Sequence, residues 1–465
     1  MRKSKLLGLL QTFSNAEWKS FGQFVRSPYF NRNEAVTALF EWMLEQEGAL
    51  EQRSRKEAWA GVFPSKAYDE TTINLLMSAL LKLAEQFLGM ERLQADKQTL
   101  GYHTLQSLCD RNLEKHYHYL YDRTQAILKT HVVVDAGHFY MGYRLENLEA
   151  ERFSKWAPRK YNAAAQAAVD QLDDFYLAEK LRLTAYMLTM QMVIATPHNL
   201  QLVEEVCRYV EKNIGNINSP LIQAYYHIVN LFSRESAAAD FVALKALLHN
   251  RRDAFSEATL AELYQYAINF CNLQLLKMRA EYLDEALALY IDGVDSGMLL
   301  EKGQLSPWHF KNMVKLALRL ERYAWAEAFI LEKSALLEEG YRSDALHYNL
   351  AELYYYTDRF DQAMQHLNKM EFTDISYNLG AKRMLCKIYY ERNELNALDS
   401  LLHAHKTYLH RNKLISEDLR RAHLNFIRLL GKILRFTPSG HPALRQEIEK
   451  AVLLTEKDWL LKITA

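Results

Sequence analysis

The stretch NLAELYYYTDRFDQAMQHL, residues 349–367, predicts the fold of the chain. Apolar residues recur at spacings of three and four on both sides of the polar pair Asp358-Arg359, which is the pattern of two amphipathic helices joined by a short turn. Two other stretches superimpose on it at offsets of 37 and 35 residues: NMVKLALRLERYAWAEAFI (312–330) and MLCKIYYERNELNALDSLL (384–402). A helix pair that recurs at a nearly constant interval indicates a repeat architecture.

Aligned positions of the three stretches carry similar side chains. Large apolar residues occupy three of these positions: Met313, Leu350 and Leu385; Tyr323, Phe360 and Leu395; Ile330, Leu367 and Leu402. Small or compact residues occupy two more: Val314, Ala351 and Cys386; Ala326 and Ala363. In these features the chain resembles the tetratricopeptide (TPR) family of helical repeats. The resemblance implies an α-solenoid in which the first helix of each unit lines a concave surface.

The division into domains follows from how a helix pair buries its apolar stripe. One pair cannot cover its own stripe, so neighbouring pairs must stack. We therefore predict an all-α chain with an N-terminal helical bundle at 1–95, a TPR-like α-solenoid at 96–436 (clearest repeats 307–411) and, after the loop 436–442, a C-terminal capping helix at 443–462 within the segment 443–465. The N-terminal block and the stretch 172–183 also resemble all-helical bacterial proteins of unknown function, a resemblance that implies no activity.

Short local patterns predict where several helices begin. Ser14, Asn31 and Ser54 each stand three residues before a Glu, which is the spacing of a capping box. Ser219 and Ser306 each precede a proline, the arrangement of an N-cap followed by Pro at the first helical position. Each of these residues is therefore predicted to mark a helix N-terminus.

The stretch SPYFN, residues 27–31, raises a question of its own because two helical patterns flank it. The residue before a proline is disfavoured from the α conformation, so the first helix should end at Ser27. We expect Asn31 to cap the next helix and Tyr29 and Phe30 to pack into the corner between the two. A recognition role for this stretch is the alternative.

Composition restricts the class of protein. Lys and Arg total 57, and so do Asp and Glu, so the net charge is zero and nucleic acid is an improbable partner. The first 33 residues are basic, with six cations and only Glu17 as an acid, six minus one giving +5. The four cysteines lie 64 or more residues apart, which argues against a zinc site or disulfides and for a reducing compartment.

Two apolar segments bear on membrane association. The run Leu6–Leu10 is too short for the core of a signal peptide. The longest stretch without a charge, 183–203, contains Thr, Gln, Pro, His and Asn, so we predict a buried helix that breaks near Pro197 rather than a membrane span. These observations predict a soluble, cytoplasmic protein without a membrane partner.

Signatures of catalysis and of cofactor binding are absent from the sequence. It contains no GxxxxGK[ST], GxGxxG, HExxH or GxSxG. The pairs His116/His118 and His403/His405 are each two residues apart, about 200° around a helix, so neither pair can chelate one metal ion. We predict that the protein is not an enzyme and holds no cofactor and no metal.

Projecting the concave face implied by the TPR resemblance onto the three repeats gives a candidate partner-binding surface. It carries five cations and four tyrosines, and its ten residues are Lys311, Lys315, Arg319, Tyr348, Glu352, Tyr355, Tyr356, Arg383, Lys387 and Tyr390. Tyrosine supplies contact area at low entropic cost, and Lys and Arg attract and orient a carboxylate. We expect this surface to be exposed and to bind an extended or helical peptide with acidic groups. The alternative is that the cations are solvated and the tyrosines pack on neighbouring helices.

The predicted function is a non-enzymatic helical-repeat scaffold that binds a protein or peptide partner, expected to be acidic, through this surface. Two alternatives stay open. One is a peptide-responsive regulator whose basic N-terminal block contacts nucleic acid, and the other is an enzyme with a pocket inside the superhelix.

Overall fold

The computed structural model describes residues 4–46, 48–130, 133–156, 159–193, 198–234, 237–370, 374–435 and 441–464. Within these ranges the protein has 23 α-helices, three short 3-10 helices and one two-stranded sheet. The all-α prediction is confirmed. The chain divides into two compact units, Met1–Glu179 and Lys180–Ala465. The predicted domain boundaries at residues 95 and 436 stay predictions.

The helices of the first unit follow one another with short connections. They are α1 (Lys5–Leu10), α2 (Asn15–Arg26), α3 (Glu34–Glu45), α4 (Arg55–Val62), α5 (Glu70–Ala95), α6 (Lys97–Asp110), α7 (Glu114–Thr130) and α8 (Ala136–Trp156), with a 3-10 helix at Leu50–Gln52. A ninth helix, α9 (Ala163–Val193), begins in this unit and ends in the second. The predicted break near Pro197 lies outside the described residues.

Helices α1 to α5 share one hydrophobic core. The Phe21 ring lies within it, and its centroid is 5.3 Å from those of both Phe40 and Phe87. Helix α5 is the one described helix that is long and apolar enough to cross a membrane. Its Ile73 and Leu80 side chains are fully buried in this core.

The local patterns predicted two of the three helix starts that they marked in this unit. Ser14 and Ser54 form complete capping boxes at the starts of α2 and α4. Asn31, however, does not cap α3: Asn33 is the N-cap, and its Oδ1 accepts a hydrogen bond from the Ala35 amide. Asn31 instead closes the turn, because its amide donates to the Ser27 carbonyl.

The SPYFN corner is confirmed for one of its two aromatic residues. Helix α2 ends at Arg26, and Ser27 is extended, with ψ at 120°. Phe30 stacks on Phe24 with their ring centroids 4.0 Å apart. Tyr29 is 85% exposed, so its predicted packing into the corner is wrong. The stacked Phe30 already fills the space beside α2, and Tyr29 meets only the edge of that ring.

The second unit is longer and contains the predicted repeats. Its helices are α10 (Val203–Asn213), α11 (Pro220–Ser233), α12 (Ala238–Asn250), α13 (Glu257–Leu276), α14 (Tyr282–Asp295), α15 (Pro307–Arg319), α16 (Tyr323–Lys333), α17 (Glu339–Tyr356), α18 (Phe360–Leu367), α19 (Ile375–Glu391), α20 (Leu395–Arg411), α21 (Glu417–Ile433), α22 (His441–Lys450) and α23 (Lys457–Ile463). Short 3-10 helices lie at Arg252–Ala254 and Ser334–Leu336. Ser219 and Ser306 cap α11 and α15 as predicted, each with a proline at the next position.

A left-handed residue recurs at the turn between the helices of a pair. Glu321, Asp358 and Asn393 have φ of 57°, 56° and 57°, and they occupy aligned positions of the three repeats. At each turn the next amide donates to the carbonyl five residues back, as from Arg322 to Ala317 at 2.9 Å. This is the Schellman arrangement, which satisfies helix-end carbonyls. Met278 has the same conformation and the same bond between α13 and α14.

The interval between two of these turns is longer because a small hairpin intervenes. Strands β1 (Leu300–Glu301) and β2 (Gln304–Leu305) pair antiparallel between α14 and α15. Lys302 and Gly303 both have positive φ, as a type I′ turn requires. The hairpin accounts for the spacing of 43 residues from Met278 to Glu321, compared with 37 and 35 afterwards.

Successive helix pairs contact each other in sequence order. Helix α17 contacts its partner α18 and also the first helices of both neighbouring pairs, α15 and α19. After α21 the chain ends in two short helices, α22 and α23, so the single helix predicted at 443–462 is wrong. The residues between them form a turn in which Glu456 has φ at 56°. Residues 436–440 of the predicted loop lie outside the described residues.

Candidate partner-binding site

The ten residues of the predicted surface come from α15, α17 and α19, which contact one another in that order. Their exposure differs widely. Lys311 and Tyr348 are buried; Lys315, Glu352, Tyr355, Arg383, Lys387 and Tyr390 are half-buried; Arg319 and Tyr356 are exposed. The binding role of these residues stays a prediction, but the expectation that all of them are exposed is wrong for the first two.

Lys311 is buried because side chains of α17 and α19 cover it. Its Nζ is 4.4 Å from the centre of the Tyr348 ring and 5.0 Å from that of Tyr377, so two aromatic faces cover the ammonium group. Burial, and then repulsion from Lys315, lower the pKa of Lys311 to about 8. Lys311 and Tyr348 are therefore part of the packing between these helices.

A glycine allows this packing. A Cβ at Gly380 of α19 would lie 2.6 Å from Cε2 of Tyr348, which is too close for any side chain. The glycine thus lets the tyrosine ring lie directly against the α19 backbone. Neither Gly380 nor Tyr377 was among the predicted site residues, because nothing in their spacing separates them from ordinary helix residues.

The next two cations hold a carboxylate of the same chain. The Arg383 Nη1 lies 2.9 Å from Oε1 of Glu456, and the Lys387 Nζ lies 3.0 Å from Oε2. Arg383 also donates to Oγ1 of Thr455 at 2.5 Å. Burial alone would raise the pKa of Glu456, but the attraction of Lys387 and Arg383 outweighs it and holds this pKa below its usual value.

Aromatic side chains surround this ion-pair cluster. The Lys387 Nζ lies 4.5 Å from the centre of the Tyr355 ring. Trp459 of α23 contacts Tyr390 edge to face at 5.4 Å, and its Nε1 donates to Glu391 at 3.0 Å. The turn before α23 and the helix itself therefore cover the α19 end of the predicted surface. Sequence reasoning missed this because about 70 residues separate the two sides of the contact.

Several polar atoms near the cluster are buried without a hydrogen-bond partner among the described residues. They are Nε of Arg383, Oε2 of Glu352, both ring nitrogens of His405 and Nδ1 of His423. The two histidine rings pack edge to face, with centroids 5.3 Å apart. Burial is the main cause that lowers the pKa of His405 to about 3 and that of His423 to about 4.

The cluster as a whole is electropositive. Its five cations, Lys311, Lys315, Arg319, Arg383 and Lys387, face four carboxylates, Glu352, Asp374, Glu391 and Glu456, and five minus four gives +1. Among the residues that the structure describes, no group of three or more His, Cys, Asp or Glu side chains could hold a metal ion. The cations and the rings beside them can bind a carboxylate next to an aromatic face, as Lys387 does with Glu456 and Tyr355.

The part of the predicted surface that is accessible to a second molecule is smaller than expected. Tyr356 is 43% exposed at the C-terminal end of α17. Arg319 is exposed and Lys315 is half-buried on the neighbouring helix α15. These three residues are accessible to a second molecule, whereas Arg383 and Lys387 already hold Glu456.

No protein-family model, curated protein or solved structure matches the chain.

Proposed function

We propose that the helix pairs of the second unit form a TPR-like α-solenoid and that the protein is a non-enzymatic scaffold. The proposal is supported by the order in which first helices contact one another and by the repeated left-handed turns. Stacked helix pairs bury a continuous core and leave one face of the first helices as an extended binding surface.

The partner is a protein or peptide with an acidic segment. The observation that carries this proposal is the clamp on Glu456, in which Arg383 and Lys387 each bind one carboxylate oxygen. These two cations of α19 form a site for a carboxylate. Lys315 and Arg319 of α15 add positive charge next to it. Charge-assisted hydrogen bonds of this kind are roughly twice as strong as neutral ones.

The partner's acidic groups bind at Lys315 and Arg319, and Tyr356 supplies the adjoining contact area. The excess of positive charge attracts an acidic segment from a distance and raises its association rate. Because these residues are partly exposed, binding weakens as the salt concentration rises. The protein acts in a reducing compartment such as the cytoplasm, consistent with its four free cysteines.

Affinity purification of the full-length protein from its native cell, with identification of the co-purifying proteins, tests the proposal. We expect a specific partner to be lost when Lys315 and Arg319 are both replaced by Glu. The matched control replaces Lys277 and Arg279 by Glu, since these exposed cations in the turn after α13 give the same change in net charge. A partner that binds all three proteins equally would remove this surface from the proposal.

A further inference from the structure

A groove between α20 and α21 lies outside the predicted surface. It encloses a cavity of about 770 Å³. Its lining runs from Asp399 to His410 on α20, and from Leu424 on α21 to Arg435 in the turn that follows α21. Each of these stretches spans about three helical turns, or about 16 Å. The groove therefore has the length of a short helix laid along it.

The floor of the groove is apolar and its rim is basic. Leu402, Leu424 and Ile427 form the floor. The rim carries four cations, Lys406, Arg428, Lys432 and Arg435. Two acids oppose them: Asp399 in the lining, and Glu447 of α22, which binds Arg428 and, at 2.8 Å, Lys432. Four minus two leaves a charge of +2, and Lys406 and Arg435 have no ion pair among the described residues.

A glycine in the last turn of α21 lines the groove. Gly431 is one of the lining residues, and a Cβ built on it would meet nothing within 4 Å. A glycine inside a helix lowers helix stability relative to alanine. No neighbouring atom packs closely against Gly431, so the absence of a side chain there leaves open space in the groove.

We propose that this groove binds an acidic amphipathic helix of a partner protein. The apolar face of such a helix, about three turns long, covers the three floor residues, and carboxylates beside that face meet Lys406 and Arg435. This is the helix-in-groove mode of recognition, in which anchors at helical spacing enter an apolar channel. A nucleic acid would satisfy the cations but leave the apolar floor without a partner, so the groove favours a helix.

A displayed library of peptides about 12 residues long, selected on the full-length protein, provides the probe. We expect enrichment of sequences with apolar residues at helical spacing and Asp or Glu beside them. The dissociation constant of one selected, fluorescently labelled peptide is then measured by anisotropy. Gly431→Phe fills the groove and should weaken binding about tenfold or more, whereas Gly431→Ala should leave it nearly unchanged.

Charge variants keep the test decisive if Gly431→Phe fails to fold. Lys406→Glu combined with Arg435→Glu should also weaken binding about tenfold, and replacing Lys315 and Arg319 by Glu should not affect it. The proposal is overturned if no acidic amphipathic peptide is enriched, or if the selected peptides bind the filled or charge-reversed groove as tightly as the original. It is equally overturned if a single-stranded oligonucleotide binds the groove more tightly than the peptides.

Discussion

The Nζ of Lys387 lies 3.0 Å from Oε2 of Glu456, although 69 residues separate the two in the chain. The ion pair joins α19, in the last of the three clear repeats, to the turn that precedes the final described helix. Glu456 holds its carboxylate there while its backbone has φ at 56°, a conformation that costs a non-glycine residue roughly 1 kcal/mol or more. The clamp by Lys387 and Arg383 must therefore outweigh this strain.

Glu456→Gln should lower the free energy of unfolding by about 2 kcal/mol, because it leaves two partly buried cations without their counter-ion. Urea unfolding of the full-length protein measures the change. The control is Glu449→Gln, which removes an exposed ion pair with Arg445 one helical turn away. Exposed pairs contribute at most about 1 kcal/mol, so equal effects of the two substitutions would contradict the clamp.

Gly380→Ala should lower the free energy of unfolding by about 2 kcal/mol, because the new methyl group overlaps a buried ring. The contact is with the ring of Tyr348, which is only 2% exposed. Gly431→Ala is the matched control, since that position also lies inside a helix but is open. Alanine there should stabilise the protein by about 0.5–1 kcal/mol, so the two substitutions are expected to differ in sign.

Glu321→Gly should stabilise the protein by about 1 kcal/mol. Glu321 has positive φ at an exposed turn, and glycine adopts this conformation without the clash that a Cβ brings. Ala328→Gly, at an exposed position in the middle of α16, is the control and should destabilise by a similar amount. Thermal unfolding curves of the two variants should therefore shift in opposite directions, and a shift in the same direction would argue against a strained turn.

Much of the fold was predictable because the signals that define it are local. Ser14, Ser54, Ser219 and Ser306 each mark a helix start through residues within three positions of them, and all four predictions are confirmed. Asn31 was misassigned because the local spacing to Glu34 favoured it. The backbone amide of Asn31 donates to the Ser27 carbonyl in the turn after α2, and the next asparagine, Asn33, caps α3.

The site was predictable only in part because its contacts are not local. Helical spacing places Arg383 and Lys387 on one face of α19, one turn apart, as the clamp on Glu456 requires. This spacing does not show which distant residue contacts that face of the helix. The same holds for Lys311. Its position in the helical pattern predicts a surface cation, but the rings of Tyr348 and Tyr377 bury it.

The buried pair His405 and His423 should make the protein less stable below neutral pH. Burial holds their pKa values at about 3 and about 4 in the folded protein, compared with 6.5 for an ordinary histidine. Between these values the unfolded chain binds more protons than the folded one, so the free energy of unfolding falls as the pH falls. From pH 6.5 to pH 5, each histidine should contribute a loss of about 1.5 kcal/mol. Urea unfolding at several pH values measures this slope.

Replacing one histidine of the pair separates its contribution from other titrations. His423→Leu puts an apolar side chain of similar size in the core and removes one proton-binding group, so the loss of unfolding free energy between pH 6.5 and pH 5 should shrink by about 1.5 kcal/mol. His403→Gln is the control, because this histidine is exposed on the same helix as His405, and its replacement should leave the slope unchanged. Ring resonances of His405 that titrate near pH 6.5 in the folded protein would show that the pair is hydrated, and the pH effect would then have another cause.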